Sequence, residues 1–135
     1  MREILFRGKC QDNGEWVEGA FFPENDRYPA VIFHGKYRPM GAFVDQRTVG
    51  QFTGLMDKHG KKVFEGDICR FREWSGGKMC WVGNVHYENQ QFVISGGPNK
   101  ECGTPFCLQL SRFVAGNIEV IGTFYDNPEL LEGSK

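Results

Sequence analysis

The sequence predicts a mainly β fold: a small antiparallel barrel, SH3-like in size and strand rhythm, with an additional N-terminal β unit. Three observations predict it. Short apolar runs alternate with period two rather than with the 3.6 period of a helix. Eighteen glycines, with no three-residue period, fall mostly between those runs and supply turn conformations closed to other residues. Twelve Phe, four Tyr and three Trp in 135 residues provide the bulk for a packed interior.

Taken in order, residues 4–9 alternate and read as a first strand. Asp12, Asn13 and Gly14 form a turn, because Asn-Gly tolerates positive φ, and residues 15–22 complete a hairpin around Trp16 and Val17. Residues 23–29 are a polar loop, 30–34 a short strand, and 34–41 a turn-rich stretch. Residues 42–46 are extended, and 48–52 lead into Thr53, Gly54 and Leu55. Residues 57–60 turn by composition, and 62–64 are short and extended. Glu65, Gly66 and Asp67 make a tight corner with Gly66 at positive φ, and residues 68–72 follow as a strand.

Glycines punctuate again at 76–77. Residues 79–87 are the longest predicted strand, with Trp81, Gly83, Val85 and Tyr87 on one face and Cys80, Val82, Asn84 and His86 on the other. A turn at 88–90 returns the chain through 91–94. Residues 95–104 are a polar loop, and 106–110 are a strand or one helical turn. Residues 118–125 alternate as a final strand. Asn127 is placed to cap a short helical turn starting at Pro128, with Leu130 and Leu131 as its buried face. Residues 1–50 form the N-terminal unit and 51–131 the barrel-like one, the two standing apart or sharing one fold.

The formal charge is -1, with ten Lys/Arg against eight Asp/Glu in residues 1–62 and six against nine in the remainder. That balance lacks the broad basic surface of a non-specific nucleic-acid binder. No window reaches the eighteen apolar residues of a membrane helix, and residues 1–9 lack a signal-peptide core, so a cytoplasmic location is expected. Five cysteines fit free thiols better than a disulfide framework.

Candidate chemistry is sparse, and nothing marks the chain as an enzyme. Cys102 and Cys107 have a zinc-compatible spacing, with Cys10, Cys69, Cys80 and His86 as further donors. Cys80 and His86, six strand residues apart, would lie roughly 20 Å from each other, so no metal site is expected and no cofactor is assigned. Asp57, Glu65 and Asp67 could hold a cation or share a proton, but turn carboxylates of this kind equally accept backbone amides. The glycines around Pro98 and Lys100 lack the phosphate-loop pattern. Arg70 and Arg72 should project from one strand face, away from Cys69 and Phe71. With Trp74 and Trp81 they form the candidate contact surface, for nucleic acid or for a protein partner. Gly66 and Asp67 are assigned to the structural corner.

Four ordered blocks carry a family likeness. They are MREILFRGK at residues 1–9, GEWVEG at 14–19, TVGQFTGLMDKHGKKVFEGDI at 48–68 and IEVIGTFYDNPELL at 118–131. Together they resemble the YopX family of phage and prophage proteins. The resemblance implies a β-rich accessory protein carried by a bacterial virus or prophage, and brings no reaction, cofactor or catalytic set. Cys69 stands where the family more often has an aliphatic residue, and the region from Cys102 to Cys107 has no family pattern. The expected function is therefore that of a non-enzymatic protein-interaction module. A nucleic-acid-binding β module is the alternative, and self-association through strand edges is a further expectation.

Overall fold

A computed structural model describes residues 4–33, 41–72, 77, 81–96 and 106–131 of the chain. Ten strands account for most of it: β1 Phe6–Cys10, β2 Trp16–Phe22, β3 Val31–Phe33, β4 Ala42–Met56, β5 Lys62–Phe64, β6 Asp67–Phe71, β7 Trp81–Glu88, β8 Gln91–Gly96, β9 Phe106–Gln109 and β10 Ile118–Thr123. Short 3-10 turns at Leu110–Arg112, Ala115–Asn117 and Pro128–Leu131 are the helical segments among the described residues. The pairings are antiparallel, in one sheet of order β1-β2-β3-β4-β5 and one of order β10-β6-β7-β8-β9. The chain forms two compact units, Met1–Phe52 and Thr53–Lys135, whose boundary falls within β4.

In the first unit β1 pairs with both β2 and β4, which closes β1 to β4 into a ring. The ring-closing pairing thus lies in the N-terminal unit. Alternation decides what each strand buries. Ala30, Ile32 and Val44 form the interior, with Phe6, Val17, Phe21 and Val49 packed against them. The 15-residue β4 is the longest strand among the described residues, whereas the sequence predicts extension there only over 42–46 and its longest strand at 79–87. The strand runs on because Thr48 bridges a register shift. Its hydroxyl accepts the Lys9 amide at 2.9 Å and donates to the Asp45 carbonyl at 2.6 Å.

The second unit packs Val63, Cys69, Phe71, Val85, Ile94, Leu110, Phe113 and Ile118 into one core. The β7–β8 hairpin turns through Asn89 and Gln90, both at positive φ, 52° and 67°. Residues 106–109 are strand and only Leu110 onward turns helically. The Asn127 side chain does not follow the expected capping role. Its oxygen accepts the Thr123 amide behind it at 3.2 Å, while the Leu130 amide donates to the Asn127 backbone carbonyl. Leu130 is half-buried, in the space that a side chain at Gly122 would fill.

Candidate protein-docking surface

Register fixes which side chains share the outside of the β1–β4 ring, because directly opposed residues point to one face. Arg7 faces Glu18, and Lys9 faces Trp16. Ala20 faces Phe33, and Phe22 faces Val31. Val31 also faces Phe43. Phe22, Val31 and Phe43 therefore stand in one row across β2, β3 and β4, with Ala20 and Phe33 in the next row. Their strand neighbours Phe21, Ile32, Ala42 and Val44 point inward.

The outward rings are unusually open. Phe22, Phe33 and Phe43 are 55%, 37% and 47% exposed. Phe22 and Phe33 meet edge to face at 5.4 Å. Gly41 keeps this face low: a Cβ there would lie 2.6 Å from Val31 Cγ2 and 3.2 Å from Phe33 Cδ1, and its φ is +80°. Single exposed hydrophobics are ordinary, but a contiguous set on one face marks a contact site.

The rim is polar and ordered. The loop between β2 and β3 carries exposed Glu24, Asp26, Arg27 and Tyr28. Asn25 organises it, its side chain accepting the Arg27 and Tyr28 amides. The Glu24 amide donates to Gln46 Oε1 of β4 at 2.7 Å, so this loop reaches from the Phe22 strand to the Phe43 strand. Beside Phe43, Arg47 forks onto Asp45 at 3.1 and 2.9 Å. Those side-chain hydrogen bonds hold the Asp45 carboxyl below its usual range. Farther along the ring exterior, Trp16 lies under Arg7, 4.5 Å from its guanidinium carbon, and 5.8 Å from Lys9 Nζ.

The residues singled out in the sequence land elsewhere. Arg70 lies 3.6 Å from Glu119, which also receives His59 at 2.9 Å. Arg72 donates to the Asn117 side chain at 3.0 Å and to the Gly116 carbonyl at 3.1 Å. Trp81 is half-buried, stacked on Phe71 and edge-on to Phe106. Trp74, Cys80, Cys102, His34 and the Pro98–Lys100 stretch lie outside the described residues. Of the four, the described residues are thus two arginines with nearby partners and a tryptophan built into an aromatic cluster.

The carboxylates serve the backbone. Asp57 accepts the His59, Lys61 and Val120 amides. Gly66 has φ 90°, and Asp67, fully buried, accepts the Phe64 amide at 2.8 Å. Glu65 is half-buried. Cys10 is buried in the first unit and Cys69 in the core of the second, while Cys107 is exposed with its thiol 3.5 Å from Glu88. Partial desolvation and that carboxylate push the Cys107 thiol up, away from the reactive thiolate. Among the described residues no group of three or more His, Cys, Asp or Glu is placed to hold a metal ion, and no helix is long and apolar enough to cross a membrane.

Sequence reasoning missed Phe22, Phe33 and Phe43. The available signal was the Phe21-Phe22 doublet in an alternating strand, which must turn one ring outward.

The family model described as YopX protein matches residues 5–132. A search of the curated proteins finds no match. Among solved structures the chain is similar to protein EF1440 from Enterococcus faecalis. That likeness has 21% identity and a TM-score of 0.51, over 97% of this chain and 99% of the other. At that identity it speaks for the fold.

Proposed function

The chain belongs to the YopX family, and on that premise we propose a non-enzymatic accessory protein of phage or prophage origin, working in the cytoplasm. It acts by docking another protein on the outer aromatic face of its N-terminal unit. The observation that carries this reading is the exposed set of Phe22, Phe33 and Phe43 around Val31 on adjacent strands. Water against those rings is unfavourable, and a partner that covers them recovers that free energy. Ring closure leaves β1 to β4 no open edge within the ring, so a partner there is recognised by side chains rather than by strand addition.

The nucleic-acid reading through Arg70, Arg72, Trp74 and Trp81 is the weaker one. Glu119 neutralises Arg70, Arg72 is spent on the Asn117 loop, and Trp81 gives its ring to Phe71 and Phe106. Affinity capture from prophage-bearing cells, with and without nuclease, separates the two. The expected result is a discrete set of proteins retained after nuclease and lost from a Phe22→Ser/Phe43→Ser variant that still folds. Capture that vanishes with nuclease, or that is indifferent to those substitutions, overturns the reading.

A further inference from the structure

The row Phe22–Val31–Phe43 has a definite period. Adjacent strands lie about 4.8 Å apart, so Phe22 and Phe43, both opposed to Val31, are separated by two spacings, about 9.6 Å. A polyproline II helix repeats every three residues at about 3.1 Å each, or about 9.3 Å per turn. An extended peptide lying across the strands would therefore present the same side of successive turns to the two rings, with the half-buried Val31 between them.

Two further features narrow the occupant. The three exposed rings leave roughly 300 Å² open, well short of the about 800 Å² that each partner contributes to a stable dimer. That area suits a short peptide rather than a second folded copy. The loop from Phe22 to Val31 runs alongside the row, because the Glu24 amide is pinned to Gln46 of β4. It exposes Glu24 and Asp26 against Arg27, and neither acid forms an ion pair among the described residues. The described rim sets Glu24, Asp26 and Asp45 against Arg27 and Arg47, a net charge of -1, which beside an aromatic row complements a ligand with an apolar body and a basic flank.

We propose that the outer face of the β1–β4 ring binds a proline-rich segment of a partner protein, in polyproline II form and flanked by arginine or lysine, with Phe22 and Phe43 gripping successive turns. This inference rests on the docking reading above and names the chemistry of the partner. A preformed polyproline helix loses little entropy on binding, which lets so small a face suffice.

The probe is a fluorescein-labelled decaproline with an arginine at each end, followed by fluorescence anisotropy. Saturable binding is expected at about 10–100 μM. Phe22→Ser and Phe43→Ser should each weaken it at least tenfold, with unfolding curves unchanged. Glu24→Gln/Asp26→Asn, which leaves the rings in place, should weaken it several-fold and flatten its salt dependence. The inference is overturned if the peptide fails to saturate, if a serine peptide with the same arginines binds equally, or if the ring substitutions have no effect. Tight binding of a dT15 oligonucleotide that the ring substitutions abolish would also overturn it, in favour of base stacking. If cellular capture depends on Phe22 and Phe43 while the proline probe does not bind, the docking reading stands and this inference alone fails.

Discussion

The Asp57 carboxylate holds the Val120 amide at 2.9 Å, across sixty-three residues of chain. Its other oxygen takes the His59 and Lys61 amides at 2.8 and 2.9 Å, and the Lys58 amide donates to the Ile118 carbonyl. Since β10 is the last strand of its sheet, this turn satisfies edge groups that would otherwise offer a template for strand addition. The carboxylate that most invites an active-site label is thus a clasp on a sheet edge.

Asp57→Ala should lower stability by about 2–3 kcal/mol, because it leaves three amides unserved, and Asp57→Asn by about 1–2 kcal/mol. Urea unfolding at neutral pH measures both. Burial alone would raise the Asp57 carboxyl, but the amides of Val120, Lys61 and His59 outweigh it and hold the group below its usual range. A folded-state value below the unfolded one means the stabilisation is present above about pH 4. It is lost as pH falls through the folded value, so the gap between wild type and Asp57→Asn should narrow as the pH is lowered below the ordinary carboxylate range.

Gly66 sits at φ 90° with its amide on the Val85 carbonyl and its own carbonyl accepting the Phe124 amide. Gly66→Ala should cost about 1–2 kcal/mol from backbone strain. Asp67→Ala should cost about 1–3 kcal/mol by removing the buried acceptor of the Phe64 amide. Glu65→Ala should cost less than Asp67→Ala, because Glu65 is half-buried where Asp67 is fully buried. Denaturant unfolding of the three variants ranks them; a Glu65 effect as large as that of Asp67 would contradict the assignment.

The β7–β8 turn carries Gln90 at φ 67° after Asn89 at 52°. Two positive values are the signature of a type I′ hairpin, where Asn-Gly is preferred. Gln90→Gly should therefore raise stability by about 0.5–1 kcal/mol, read as a shift in the thermal midpoint.

Much of this architecture was legible because strand alternation and turn residues are local signals. Asn13-Gly14, the corner at Gly66 and the paired strands around Asn89 all declare themselves within a few residues. The continuity of β4 was hidden, because it depends on Thr48 bridging to Lys9, thirty-nine residues away. The docking face was hidden for the same reason. Phe22, Phe33 and Phe43 are apolar and read as core, and only the pairing of β3 with β2 and β4 shows that they share an outer face. Arg70 and Arg72 show the converse: their parity on the strand was readable, but Glu119 and Asn117, which occupy them, come from distant sequence.

The cysteines carry a simple expectation. Among the described cysteines, Cys10 and Cys69 are buried in different units, and the Cys107 thiol lies 3.5 Å from Glu88. Elemental analysis of the purified protein should find far less than one zinc per chain, and chelator treatment should leave its unfolding midpoint unmoved.

The central claim is that the ring exterior around Phe43 is the working surface. A photo-crosslinking amino acid at position 43 tests it most directly, with the same group at exposed Val114 in the other unit as the control. After irradiation of prophage-bearing cells, position 43 should yield a discrete protein adduct that survives nuclease and is absent for position 114. No adduct at 43, an adduct of equal yield at 114, or one that nuclease removes would contradict it.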